Sequence, residues 1–304
     1  MKFDVITFGS ALIDVFVNTD ISEKNNFIYY SVGAKILIKE LRFDIGGGGT
    51  NTATAFARFG FKTGYIGKLG NDNNAKDILN FLKKEKISFL GKIDTKEKTG
   101  YSVILDSKGG ERTILTYKGA NNNLNFNEIP KTLQTDWLYY SALMEKSLET
   151  QVKLAKILVK KGTKLAFNPS LYLIKEINLK PLLALTTILI LNKEEAELLC
   201  KKNSLNEKKP LTSLAKLGPK IIVITNKDKL ISCYGKKQKY FLKPHNKIKI
   251  VERTGAGDAF ASGFVAGQIV GKSIKESLNL GLKESEAVLG HFGAKNNLIR
   301  MKLK

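Results

Sequence analysis

Residues 252–264, ERTGAGDAFASGF, place a carboxylate directly behind Gly255-Ala256-Gly257 and directly ahead of a small, apolar run. Two glycines around an alanine allow a sharp turn and the close approach of another group. The preceding Ile248–Val251 is rich in β-branched residues, so the expected order is strand, tight turn, helix, with Asp258 at the helix start. An aspartate there has an ordinary use as an N-cap. It also has a chemical one. A helix start gathers unpaired amides and the positive end of the helix dipole, which suits it to hold a transferring phosphoryl group. A carboxylate beside it can accept the proton of an incoming hydroxyl.

Two more stretches have suitable residue types. DIGGGGTNTATAFARFG, from Asp44 to Gly60, bares four consecutive glycines and opens a helix at Thr50 and Asn51. A dinucleotide fingerprint needs Gly-x-Gly-x-x-Gly just after a first strand, with an acid about 20 residues on. This run comes late and continues Thr-Asn, so dinucleotide binding is not expected. LNKEEAELL, from Leu191 to Leu199, ends a strand at Asn192 and puts Glu195 three residues later. That is the spacing of a capping box. It is also the place where open α/β sheets bind ligands, and Asn and Glu there can hold a hydrated Mg²⁺.

Such groups need a scaffold, and the patterning describes one. Strand-like runs at 3–9, 62–66, 137–140, 164–167, 188–191 and 221–224 alternate with helical periodicity at 50–59, 75–85, 148–161, 194–200, 259–270 and 273–289. Repeated βα units predict a three-layer α/β/α fold with a mostly parallel central sheet. Two regions lack helical periodicity. Residues 15–45 carry short alternating segments, and 99–118 read as a hairpin around Ser107-Lys108-Gly109-Gly110. These two insertions are expected to form a small β-lid. The rest of the chain, 1–14, 46–98 and 119–304, makes the α/β core. The alternative is that the insertions extend the main sheet.

The bulk properties of the 304 residues bound the function. A hydrophobic content of 43% is that of a globular protein. No apolar run approaches the roughly 20 residues of a membrane span. Asp4 and Asp14 interrupt the apolar N-terminus, and two cysteines, Cys200 and Cys233, are too few for a disulfide framework. A cytoplasmic location is expected. The net charge of +22 admits a non-catalytic nucleic-acid binder as a distant alternative. Against it, the charge is almost all lysine and is scattered, while arginine is the better reader of bases and phosphates. In either case the field attracts anionic substrates such as nucleotides.

Together, GGGGTNTATAFARFG and ERTGAGDAFASGF strongly resemble the two signatures of the ribokinase-like (PfkB-type) carbohydrate kinases. GSALID at 9–14, GYIGKLGNDNNAKDI at 64–78, YKGANNNL at 117–124, NKEE at 192–195 and HFGAKNNL at 291–298 follow in the family's order, so the resemblance spans nearly the whole chain. It implies an ATP-dependent, Mg²⁺-assisted kinase of a sugar, polyol or nucleoside, with phosphosugars as a further acceptor class. By resemblance, Asp258 is the general base and Gly255, Ala256 and Gly257 form the anion hole. Asp14, Gly47, Gly48 and Asn51 hold acceptor hydroxyls, and Glu145 falls near another such position. Asn192, Thr225 and Lys227 belong to the nucleotide site, and Glu195 organises Mg²⁺, directly or through water. A homodimer through the lid strands is a further expectation.

The sequence also departs from the family pattern. Leu12 stands where ribokinases often carry Asn, and Gly48 where many sugar and phosphosugar kinases carry Lys, which argues against ribose and opens room for a bulkier acceptor. The nucleotide loop, usually Thr-x-Gly-x-x-Gly, reads from Thr225 to Leu230 with Lys227 and Leu230 in place of both glycines. Glu252 replaces an Asp tied to monovalent-cation binding in some members, leaving K⁺ use open.

Overall fold

The computed structural model describes residues 2–19, 21, 23–25, 27–107, 112–227, 229–245 and 250–303. Among them, nine strands form the central sheet. Its order is Gln238–Leu242, Ile231–Gly235, Ile221–Thr225, Ile188–Asn192, Lys164–Asn168, Gln134–Ser141, Lys2–Phe8, Thr63–Ile66 and Ser88–Phe89. The last seven run parallel, and the first two complete the edge as antiparallel strands. Alternation of side chains divides the core. Leu189 and Leu191 face one layer with Phe167 and Ile222, while Ile188 and Ile190 face the other with Val223 and Phe264. Helices Glu145–Lys160 and Lys193–Lys202 cover the first face, and Gly48–Arg58, Ala256–Ile269 and Ile274–Leu289 cover the second. This is the three-layer arrangement expected, and the parallel strands bring their C-terminal ends to one edge.

The insertions do not extend that sheet. A separate four-stranded sheet has the order Arg112–Tyr117, Gly100–Asp106, Leu12–Asn18, Glu40–Gly46. The expected hairpin is present, although its turn from Lys108 to Gly110 lies outside the described residues. The strand Leu12–Asn18 belongs to this second sheet, so Asp14 rides on it, facing Ser102 on one side and Asp44 on the other in register.

One local expectation fails. Ile250 and Val251 are not in a strand, and Ile248 and Lys249 lie outside the described residues. The Val251 amide donates to the carbonyl of Leu289 at 2.8 Å, so the segment is held by the end of the last long helix and not by a sheet neighbour. β-branched content alone did not distinguish these two uses of an extended backbone.

A side chain of the second sheet reaches the core. Arg112 pairs with Glu252 and donates to the Thr254 hydroxyl at 2.7 Å, just ahead of the TGAGD turn. Arg112→Ala should raise amide hydrogen exchange across 100–106 and 112–117 while costing only about 1 kcal/mol of global stability, because the pair is partly exposed. Unchanged exchange would show that this contact does not hold the second sheet down.

Candidate active site

Helix Ala256–Ile269 begins where the TGAGD motif was read, and its N-cap is Gly255 at φ +79°. A Cβ there would lie 2.4 Å from the Cβ of Ala294, so neither the dihedral nor the space admits a side chain. Around Gly257, by contrast, a Cβ would meet nothing within 4 Å. The first turn is therefore open beside Gly257. Asp258 is the third residue of the helix and makes no capping bond. Its Oδ2 instead accepts from Asn51 Nδ2 at 2.8 Å, across 207 residues of chain. The N-cap use of this aspartate is thereby set aside. Burial raises its proton affinity, opposed by the Asn51 bond and by Lys295.

Asn51 lies in the first turn of Gly48–Arg58, whose N-cap Gly47 has φ +97° and would place a Cβ 2.4 Å from the Ser10 carbonyl. Thr50 steadies this turn by donating to the Gly46 carbonyl at 2.6 Å. Gly48 borders the Asp258 carboxylate: a Cβ on it would stand 3.5 Å from Asp258 Oδ1 and 2.9 Å from Ser141 Oγ. That serine hydroxyl is buried and has no partner. Asp14 overlies Gly46, whose Cβ would fall 1.9 Å from Asp14 Oδ2. Asp14 is 7% exposed. Burial lifts its pKa to about 6, against the pull of Lys295 and the Ser102 hydroxyl. Asp14, Gly47, Gly48, Asn51, Asp258 and the Gly255–Gly257 turn thus form one cluster.

Glu145 is not joined to that cluster by any hydrogen bond among the described residues. It is exposed at the start of its helix, with φ +52°.

Farther along the same sheet edge lie Asn192 and Thr225, in register on adjacent strands. Asn192 and Glu195 form the capping box, with Asn192 Oδ1 accepting from the Glu195 amide at 2.9 Å and Glu195 Oε2 from the Asn192 amide at 2.8 Å. Burial nonetheless raises the pKa of Glu195 to about 7. Lys227 is exposed and adopts φ +49°, so the loop keeps the left-handed turn for which glycine is the usual residue.

Sequence reasoning missed Lys295, Ser141 and Arg112. Lys295 lay within the quoted HFGAKNNL but was one of 50 basic residues, and nothing local marked it as buried.

A helix start with a carboxylate in its first turn, held by an amide from a second helix start, supplies parts that phosphoryl transfer on an α/β scaffold calls for. The chain belongs to the pfkB family of carbohydrate kinases, whose family model matches residues 2–300. It is therefore a phosphotransferase that uses an alcohol group as acceptor. It is similar to 5-dehydro-2-deoxygluconokinase of Clostridium perfringens, with 29% identity over 92% of this chain and 85% of that protein. Its fold matches ribokinase of Thermotoga maritima with a TM-score of 0.81 at 23% identity, covering 97% of this chain and 96% of that one. Adenosine kinase of Schistosoma mansoni matches with a TM-score of 0.83 at 21% identity and 96% coverage of both chains. The fold is ribokinase-like. Among the described residues, no helix is long and apolar enough to cross a membrane.

The buried acid of the second sheet gives a test with a definite sign. Raising its folded-state pKa from 3.8 to about 6 means that ionisation costs stability as pH rises through that window, and the cost is absent below it. Asp14→Asn should gain on the order of 1–3 kcal/mol at pH 8 and little at pH 3, as read by urea unfolding at both pH values. Equal stabilities at pH 8 would contradict the burial cost.

Proposed function

We propose that this kinase transfers the γ-phosphoryl group of ATP to a hydroxyl of a sugar or sugar-like alcohol, with Asp258 as the general base. The observation that carries this reading is the Asn51–Asp258 bond of 2.8 Å at a helix start with open space beside Gly257. Asp258 takes the acceptor hydroxyl's proton as that oxygen bonds to the γ-phosphorus. The bond from the γ-phosphorus to the bridging oxygen breaks, and ADP leaves with the electron pair. The helix-start amides stabilise the charge on the migrating group. Asp14 and Asn51 orient the acceptor. The second sheet closes as a lid and excludes water.

Asn192, Thr225 and Lys227 would hold the nucleotide. The donor set at Glu195 fits Mg²⁺: one carboxylate beside a neutral amide suits an ion that keeps several waters and takes its other oxygens from phosphates. A cation there would also hold Glu195 ionised near neutral pH. When bound, Mg²⁺ supplies charge neutralisation of the phosphates.

Gly48 favours an acceptor larger than ribose, since a side chain there would crowd Ser141 and Asp258. A nucleoside or a phosphosugar is the second reading. We further propose a homodimer through the lid. Phe43 and Leu41 on one edge strand, and Ile114, Leu115 and Tyr117 on the other, are exposed at strand edges that lack neighbours in their sheet. Nucleic acid is not a proposed partner, and the two buried free thiols accord with a reducing cytoplasm.

A screen for acceptor-dependent ADP release over pentoses, hexoses, inositols and nucleosides identifies the acceptor. With it, Asp258→Asn should keep the fold and nucleotide binding but lose about 10²–10⁴ in kcat. Near-normal turnover would exclude Asp258 as the base. Sedimentation should give a dimer that Leu41→Lys with Leu115→Lys dissociates; a concentration-independent monomer would rule out the lid interface.

A further inference from the structure

The chemistry above leaves the buried Lys295 without a task. Lys295, 2% exposed, comes from the C-terminal segment and ends between the second sheet and helix Gly48–Arg58. Its Nζ donates to Asn51 Oδ1 at 2.6 Å and to the carbonyl of Ile45. The other end of the same amide, Asn51 Nδ2, donates to Asp258 Oδ2. An ammonium can only donate, and a carboxylate can only accept. With Lys295 on its oxygen, the amide cannot turn over without setting NH₂ against NH₃⁺ and C=O against a carboxylate.

We infer that Lys295 is a positioning residue for phosphoryl transfer, acting through Asn51 to keep a donor on Asp258 and its carboxylate ionised and aimed. Its surroundings match the task. Asp14 and Asp44 face it from the second sheet, Asp258 from helix Ala256–Ile269 and Arg58 from helix Gly48–Arg58. The Phe81 ring lies 5.7 Å away. Burial lowers the lysine's proton affinity, and the three carboxylates oppose that loss. Arg58 fixes the backbone by donating to the Lys295 carbonyl at 2.7 Å while pairing with Glu85. On the Asp258 side, the remaining titratable group that responds to its charge is the buried Tyr139. One cation thus joins the second sheet and helix Gly48–Arg58 to Asp258.

The inference rests on Asp258 being the base, and the experiment separates the two. With the full chain and the acceptor found by the screen, kcat/KM is measured from pH 5 to 9 for wild type, Lys295→Met, Lys295→Gln, Lys295→Arg, Asn51→Ala and the Lys295→Met/Asn51→Ala double variant. Removing the cation should move the acid limb upward by about one pH unit. Arg at 295 should bring it back toward wild type. The double variant should be no slower than the slower single one, as expected for residues acting in series. Should the Met variant not fold, the Gln variant, which keeps a donor but no charge, gives the same reading. An acid limb unmoved in the neutral variants, or losses that multiply in the double variant, would overturn the inference. Asp258→Asn is the control. Full activity there removes the base itself, whereas an inactive Asp258→Asn with an unmoved limb in the lysine variants removes only the role of Lys295.

Discussion

The structure is organised around the hydrogen bond between Asn51 and Asp258, which ties together two helix starts 207 residues apart in the chain. Asp258 sits in the first turn of a helix whose next residues, Ala259 and Phe260, are core. Burial favours its protonated form, and a protonated acid cannot take a proton from an alcohol. The surroundings work against that tendency. Asn51 donates to it, Lys295 adds positive charge, and the open helix start adds more. In the proposed role, a carboxylate with raised proton affinity is a stronger base than a fully solvated aspartate.

That balance explains why distant parts of the chain converge. Asn51 comes from the helix after the glycine run, Asp14 from the second sheet and Lys295 from the last segment, and each is rigidly supplied. Gly47 and Gly255 take dihedrals and approaches closed to other residues, and the two turns they form face one another. Phe292 packs edge-on to Phe16 at 4.4 Å under the guanidinium of Arg42, so the segment carrying Lys295 is clamped by the second sheet. Arg112 makes a further tie through Glu252, whose carboxylate also accepts from the Thr254 amide at 2.9 Å. Side-chain contacts thus join the second sheet to the segment that leads into helix Ala256–Ile269.

Much of this was legible in the chain. Short continuous apolar runs marked the strands, because each is buried on both faces of a parallel sheet. The TGAGD turn was legible because Gly255 satisfies a local steric demand. Asp258 beside it was legible as a residue type, but its partner was not: Asn51 is 207 positions away, and no local signal links them. Lys295 was hidden by composition, since a lysine buried among carboxylates looks in sequence like the many solvated ones around it. The extended segment before the turn was misread because Ile250 and Val251 suit a strand as well as they suit a backbone tethered to Leu289. Non-local electrostatics and tertiary tethers are what local pattern omits.

The most direct measurement is a crystal structure of the protein with a non-hydrolysable ATP analogue and its acceptor. The account predicts an Asp258 carboxylate oxygen within about 2.6–3.2 Å of an acceptor hydroxyl, with the γ-phosphate against the amides that follow Gly255. An acceptor whose hydroxyls all lie beyond reach of that carboxylate, with the second sheet closed over it, would contradict the account.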